Sequence, residues 1–296
     1  MKRLIFIAAT VLFAASCSNE IKETEEPNIT ETYAPVHVAF SDFTVSHEDF
    51  PGTRATKDAA EYTNIKALTL AFYDAEGVEV YRDEQIRSNT SSYSTFGEFE
   101  CELPIGVYTL VAIGRGMSDG DVFVLTSPSL AEYTTDKARE TLVNTQRVVI
   151  RSAIPVDIPV PLDRICAKLN VVSTDSRPAN ITKIRTTYAA GGQSFNPTSG
   201  LATTNTGFSL VNNFSSAPAV VNFGSYIFLT SDEQDIDVTI EALDAQDNVL
   251  FTKVFNDLSF KRNRSTKVTG SMFSVGASSF SIKVNSDWLD DYEVSF

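Results

Sequence analysis

The chain has 296 residues, a formal net charge of −14 and 43% hydrophobic residues. This hydrophobic content is normal for a globular protein, and the length allows two domains of ordinary size. The negative charge argues against nucleic acid or an anionic membrane surface as a partner, because both would repel the chain.

Residues 1–16 have the pattern of a signal peptide, because Lys2 and Arg3 precede an apolar run that ends in small residues before Cys17. The run is shorter than the roughly 20 residues that span a bilayer, which disfavours a permanent transmembrane helix. The small residues before Cys17 resemble a bacterial lipobox, in which this cysteine becomes the acylated N-terminus. The alternative is an ordinary secretory signal, which predicts a soluble product.

Residues 17–33 are acidic and poor in apolar side chains, so they are predicted to form a flexible tether. An acidic run behind an acylated cysteine also resembles the surface-export signal of some lipoproteins. We therefore expect a lipid-anchored protein of the cell outer membrane that is exposed at the cell surface.

Alternation of apolar and polar residues dominates the chain from residue 34 onward. Val36, Val38 and Phe40 alternate with other residues and predict a first strand. Later segments predict, in chain order, a hairpin (65–74 with 78–86), a second strand pair around Pro104 (92–103 with 105–114), a strand (122–126) and a short helix (129–143).

A long strand is predicted over residues 146–160, followed by a segment in which Ile165, Ala167, Leu169 and Val171 share one face. The prolines at 155, 159 and 161 are predicted to mark the passage between two domains, since proline cannot donate to a central sheet ladder. Further short strands follow to the end of the chain. The pattern favours an all-β fold with one β-sandwich in residues 34–160 and another in residues 161–296.

Catalytic chemistry has few candidates in this sequence. His37 lies in a predicted strand and His47 in a loop, with no third residue placed to complete a catalytic or metal-binding set. Nucleophile elbows, phosphate-binding loops, zinc-binding helices and paired-cysteine motifs are missing from the sequence. Asp119 and Asp121 lack the spacing of a calcium loop, which favours a solvated turn. The sequence therefore predicts a protein that is not an enzyme and has no cofactor and no metal.

Cys101 and Cys166 fall in different predicted domains, so two buried free thiols are expected rather than one disulfide. Trp288 and the ten tyrosines offer a sugar-stacking face as an alternative function, although scattered aromatic residues in strands are more often core residues.

The last residues alternate in the same way as a strand. Tyr292, Val294 and Phe296 are apolar and the residues between them are polar. Terminal residues are usually polar and frayed, so this pattern predicts a strand with a partner. The partner is either the chain's own domain or the open groove of another molecule that accepts an added strand.

Several segments together resemble the fimbrillin family, the subunits of type V pili. They are the lipoprotein signal, the acidic tether, a Thr-Arg-Ala motif before the first strong strand, and the segments LPIGVYTLVAIG, LDRICAKLNVVSTD, FKRNRSTKVTGSMFS and FSIKVNSDW. The resemblance implies two transthyretin-like, Greek-key β-sandwich domains in tandem. It also implies assembly with other copies of the chain or related pilus subunits by strand exchange.

The resemblance further implies processing by a trypsin-like protease, which would cut between Arg54 and Ala55. The cut would remove segment 34–54, including the strand around Val36, Val38 and Phe40. The donor strand 290–296 of a neighbouring subunit would fill the groove through the apolar side chains already identified there. Three alternatives remain: residues 50–57 are only a linker, the chain is an uncut pilus anchor held by its lipid, or it is a glycan-binding surface lipoprotein.

Overall fold

The computed structural model describes residues 32–41, 43–47, 54–57, 62–89, 93–134, 137–214, 221–274 and 280–285. They belong to one compact unit, Thr32–Phe296. The described residues form strands and no helix, which confirms the predicted all-β fold. Cys17, Trp288 and residues 290–296 lie outside the described residues, so the predictions made for them stay predictions.

The strands are β1 (Tyr33–Ala39), β2 (Phe43–His47), β3 (Arg54–Lys57), β4 (Ala67–Tyr73), β5 (Glu79–Ile86), β6 (Glu98–Pro104), β7 (Gly106–Arg115), β8 (Phe123–Ser127), β9 (Leu130–Tyr133), β10 (Thr141–Ile150), β11 (Val156–Pro159), β12 (Leu162–Arg164), β13 (Ala167–Ser173), β14 (Lys183–Tyr188), β15 (Ser194–Asn196), β16 (Leu201–Ala202), β17 (Phe208–Asn213), β18 (Asn222–Ile227), β19 (Glu233–Leu243), β20 (Val249–Lys261), β21 (Ser265–Gly270) and β22 (Phe280–Asn285).

The first sheet pair consists of a small sheet, β11-β1-β6, and the strands β5-β4-β7-β10 of a larger sheet. Both sheets contribute to one buried cluster, in which Val36 and Phe99 from the small sheet join Leu70 and Leu110 from the large one. Alternation explains this arrangement, because every second residue of a strand points to the same face.

The second sheet pair repeats the same order of pairing. Its small sheet contains β21-β13-β18 and its large sheet β17-β14-β19-β20. β13 pairs antiparallel with β18 and parallel with β21, as β1 pairs antiparallel with β6 and parallel with β11. A second buried cluster fills this pair. Seven strands therefore pair in one order twice along the chain. The transthyretin-like class and the domain boundary at residue 160 stay predictions.

Additional strands extend these sheets. β12, β2 and β3 continue the first large sheet beyond β10, and β22 lies beside β21 at the edge of the second small sheet. A separate sheet, β16-β15-β9-β8, connects the two pairs through the pairing of Ala131 in β9 with Phe195 in β15. Both residues belong to a third buried cluster, which draws residues from both sheet pairs.

The predicted helix at 129–143 is wrong. Residues 130–133 form strand β9, and β10 begins at Thr141. Ala131 and Tyr133 are buried whereas Leu130 and Glu132 are half-buried, which is the alternation of a strand. Pairing of β9 with β8 and β15 outweighs the weak local preference for helix in this segment.

Two predicted strand arrangements also need correction. Segments 92–103 and 105–114 contain β6 and β7, but these strands pair with β1 and with β4 and β10 rather than with each other. The predicted long strand 146–160 is interrupted, because β10 ends at Ile150 and β11 begins at Val156 in the opposite sheet. Alternation predicts which face a residue occupies, but it does not identify the partner strand.

Candidate functional site

The predicted removable strand occupies the centre of the first small sheet. β1 pairs with β6 along its whole length and with β11 from Val36 to Ala39. Ala34, Val36 and Val38 are completely buried, and Phe40, directly after the strand, is 4% exposed. The three residues predicted to leave with this strand therefore all lie in the core.

Contacts at the end of β1 fix its position. The ring of Phe40 lies 5.2 Å from that of Phe99, centroid to centroid. The backbone amide of Phe40 donates to the carbonyl of Gly97 at 2.8 Å, and the amide of Val160 donates to the carbonyl of Ala39 at 2.8 Å. Loss of the strand would expose apolar side chains, each worth about 1.5–3 kcal/mol when buried, and unpair backbone groups on both neighbours.

The solvent face of β1 is bordered by carboxylates. Glu98, Glu100 and Glu102 of β6 and Asp157 of β11 are exposed, and we call these four residues the acidic rim. His37 faces this rim, with Nδ1 3.2 Å from Oδ1 of Asp157 and Nε2 3.9 Å from Oε1 of Glu100. The structure therefore places His37 on the outward face, as its strand pattern predicts.

The predicted cleavage site lies in a short edge strand. Arg54 and Ala55 begin β3, where they pair with His47 and Ser46 of β2. β2 in turn pairs parallel with β12, so β3 is the last strand of the large sheet. Residues 54–57 are thus extended and hydrogen-bonded to a strand on one side only. This is the backbone conformation that is recognised by β-strand addition.

A buried polar cluster holds β12, the strand that pairs with β2, and the sequence does not predict this cluster. Arg164 of β12 donates to Glu140 (Nε to Oε1, 2.7 Å), to Asn263 (Nη1 to Oδ1, 2.9 Å) and to the hydroxyl of Tyr62 (2.7 Å). Tyr62 also donates to Glu140. Burial, together with the nearby Glu140, raises the pKa of Tyr62. These bonds join the first sheet pair to the segment between β20 and β21.

Both described cysteines are free thiols. Cys101 of β6 lies opposite Val36 of β1 and is half-buried against the core. Burial, with Glu100 and Asp83 nearby, raises the pKa of Cys101 to about 12, and burial raises that of Cys166 to about 12. Because the thiolate is the reactive form, neither side chain is poised for nucleophilic chemistry at neutral pH.

A cavity of about 460 Å³ is the second candidate site, and sequence reasoning missed it. It is lined by residues of both sheet pairs, among them Lys66, Lys137, Asn212, Phe214 and Tyr226. Lys137 Nζ donates to Oδ1 of Asn212 at 3.3 Å. Cationic, amide and aromatic side chains together suit a polar ligand such as a sugar.

The predicted polar turn near this cavity is held by an ion pair. Arg139 donates through Nε and Nη2 to the two carboxylate oxygens of Asp121, at 2.6 and 2.7 Å. Burial opposes ionisation of Asp121, but the hydrogen bonds from Arg139 and from the Ser118 amide outweigh it and lower its pKa. In the part of the chain that the structure describes, no three His, Cys, Asp or Glu residues are grouped as metal ligands.

The segment that directly follows β21 is held by Asp175. Its carboxylate accepts hydrogen bonds from the amides of Met272 (2.8 Å) and Phe273 (2.9 Å) and from the hydroxyls of Ser173 (2.6 Å) and Ser274 (2.8 Å). Burial opposes ionisation of Asp175, but these bonds outweigh it and lower the pKa. No helix among the described residues is both long and apolar enough to cross a membrane.

The chain belongs to a family of unknown function, DUF6562, whose model matches residues 34–295. No curated protein matches the sequence significantly. A candidate polysaccharide-binding protein from Bacteroides thetaiotaomicron has a similar structure, with a TM-score of 0.53, 11% identity and coverage of 88% of this chain and 100% of that one.

Two further solved structures are similar. A candidate adhesin from Bacteroides ovatus has a TM-score of 0.50 and 11% identity, with 75% of each chain covered. The fimbrial anchor protein Mfa2 from Porphyromonas gingivalis has a TM-score of 0.48 and 12% identity, with 86% of this chain and 98% of that one covered. At such identities, the similarity to the two Bacteroides proteins shows a shared fold and no more.

Proposed function

We propose that this member of the DUF6562 family is a non-enzymatic fimbrial subunit of the cell surface, which supports adhesion and assembles by strand exchange. The observation that carries the proposal is the position of β1. This strand is close to the N-terminus, fills the centre of a sheet with completely buried side chains, and is followed by an arginine in an extended edge strand. One cut would therefore free a strand that the core needs.

The physical basis is the free energy of an open groove. Cleavage between Arg54 and Ala55 allows β1 and β2 to leave, because no covalent bond then joins them to the remaining chain. Loss of β1 would expose the apolar core between β6 and β11 and would leave backbone groups of both strands unpaired. Both costs favour binding of a replacement strand. Exchange between successive molecules does not close on itself and therefore produces a filament.

Fold similarity to the candidate adhesin and the candidate polysaccharide-binding protein supports a surface role. The fimbrillin-like motifs in the sequence support the more specific assignment to a pilus. In this proposal Cys17 carries the lipid during export, and residues 290–296 supply the donor strand.

The decisive experiment determines the N-terminus of the surface protein by mass spectrometry in wild type and in an Arg54→Ala variant. Wild type is expected to start at Ala55 and to be part of polymers of pilus subunits, whereas the variant should start at Cys17 and stay monomeric. Lys57→Ala, a change of a second basic residue of β3, serves as the matched control and should behave as wild type. Polymers of the Arg54→Ala variant would contradict the proposal, and wild type found only as the uncut lipoprotein would indicate a pilus anchor.

A second candidate function, binding of an acidic glycan, is favoured by the cavity that contains Lys66 and Lys137. If this function is correct, Lys66→Ala and Lys137→Ala should each weaken binding to uronic-acid-containing polysaccharides in a glycan array. Lys253→Ala, a change on the distant edge strand β20, is the control. Equal binding by all three variants would remove the cavity from consideration.

A further inference from the structure

The outward face around β1 has a one-sided charge pattern. In β6, Phe99 and Leu103 point into the core, whereas Glu98, Glu100 and Glu102 are exposed. The three glutamates lie opposite Ala39, His37 and Pro35 of β1 in the antiparallel ladder. On the other side, Asp157 of β11 lies opposite His37 in the parallel ladder. Any strand at the position of β1 therefore has carboxylates of the acidic rim on both sides.

The resident strand is compatible with this rim. The outward-facing residues of β1 are Tyr33, Pro35, His37 and Ala39, none of which carries a negative charge. His37 lies between Glu100 and Asp157 and contacts both carboxylates. The side chain at the centre of the outward face is thus not a carboxylate.

The chain's own C-terminal segment has the opposite pattern. With Tyr292, Val294 and Phe296 pointing into a groove, the residues that alternate with them point outward, and two of these three are the carboxylates Asp291 and Glu293. This placement follows from the two-residue period of a strand and holds for either direction of insertion. Both carboxylates would then lie beside the acidic rim, and like charges directly opposite each other destabilise a ladder.

We infer that the acidic rim disfavours the C-terminal strand of a second copy of this chain and selects a donor strand from a different subunit, one with lysine or arginine at its outward-facing positions. The inference rests on the strand exchange proposed above and specifies its partner. Like charges at a binding site mainly determine specificity, because they repel a partner of the wrong charge. The chain accordingly accepts a heterologous neighbour and does not extend a filament of identical copies.

The test uses the full mature chain with a site-specific protease sequence inserted between Phe50 and Pro51. After cleavage, labelled peptides compete for the groove against the released N-terminal fragment. One peptide has the native sequence of residues 287–296, and the other carries Asp291→Lys and Glu293→Lys with the inward-facing residues unchanged. We expect the lysine peptide to bind about tenfold more tightly at low salt, which corresponds to two unfavourable cross-strand pairs removed.

A rise in salt concentration should reduce this difference, because the rim is exposed and its charges are screened. An acceptor with Glu98→Gln, Glu100→Gln, Glu102→Gln and Asp157→Asn should bind both peptides equally well. Equal binding of both peptides to the unmodified acceptor, or tighter binding of the native one, would overturn the inference and leave strand exchange intact. If neither peptide displaces the fragment, strand exchange itself fails and the inference fails with it.

Discussion

β1 and β13 hold equivalent positions in the two sheet pairs but differ in how they are attached and covered. Each lies between one antiparallel and one parallel neighbour. β1 ends at Ala39 and the next strand of its sheet pair begins only at Ala67, whereas β13 ends at Ser173 and β14 begins at Lys183. The same pairing pattern thus occurs twice. In the first sheet pair its central strand could be freed by one cut, whereas in the second the central strand is held by short connections.

The two strands also differ on their outer faces. β1 alternates between buried and exposed residues, whereas β13 is buried on both faces and includes Lys168 and Asn170 among its buried residues. A replacement for β1 needs a suitable apolar face and an acceptable charge on the other face. A replacement for β13 would have to match two packed faces. The position of β1 therefore sets fewer packing requirements for a replacement strand than the position of β13, because only one of its two faces is packed.

The largest expected effect concerns the cluster that joins the two sheet pairs. Glu140→Gln should lower the free energy of unfolding by about 3–5 kcal/mol, because it leaves the buried Arg164 without its carboxylate partner. Urea unfolding followed by circular dichroism measures this. Glu241→Gln, which removes the more exposed ion pair with Arg185, should cost below about 1 kcal/mol. Equal losses in both variants would show that burial does not make the Glu140–Arg164 ion pair more costly to break.

Matched truncations in β1 and β13 test the comparison directly. Val36→Ala and Val171→Ala each remove two methyl groups from a completely buried site and should each cost about 2 kcal/mol in the intact chain. After cleavage at Arg54 and replacement of β1 by a donor peptide, the Val36→Ala loss should vanish while the Val171→Ala loss persists. Urea midpoints before and after exchange measure both effects, and a persistent Val36→Ala loss would mean that β1 has stayed in place.

The carboxylate of Asp175, which holds the segment that directly follows β21, offers a smaller effect with a defined pH dependence. Asp175→Asn should lower stability by about 1 kcal/mol, since the hydrogen bonds that Asp175 accepts from Met272 and Phe273 lose their charge. The pKa of Asp175 is lowered in the folded state, so its stabilisation is present above the unfolded-state pKa of about 4 and is lost as pH falls through the folded-state pKa. Thermal melts between neutral and acidic pH should show the two proteins converging at low pH.

The smallest expected effect is on the outward face of β1. His37→Glu places a carboxylate between Glu100 and Asp157 and should cost about 0.5–1 kcal/mol at low salt. His37→Gln, of similar size and neutral, is the control and should be close to wild type. The difference between the two variants should shrink as salt is added, and a difference that is independent of salt would rule out the rim's charge as its cause.

The local sequence pattern was sufficient to predict some strands and their pairing but not others. The hairpin β4–β5 was predicted because both strands and their turn are contiguous, with Gly77 at positive φ in the turn. The core positions of Val36, Val38 and Phe40 followed from alternation alone. The partners of β6 and β7 did not, since alternation carries no information about strands distant in sequence.

The candidate site around β1 was also predictable only in part. Its apolar side could be read from one segment, whereas the acidic rim depends on a register that brings Asp157 opposite His37. The cluster of Arg164, Glu140 and Tyr62 has no local signal either, because a charged residue in a sequence is ordinarily expected at the surface. The cavity likewise requires segments from both sheet pairs to meet.

The parallel pairing of β1 with β11 has a consequence for the order of folding. His37 and Asp157 are 120 positions apart, and contacts of such sequence separation form slowly because a long loop must close first. During synthesis β1 emerges early, whereas its parallel partner β11 emerges only after the other strands of the first sheet pair. The first sheet pair is therefore completed only when its youngest strand, β11, joins its oldest strand, β1.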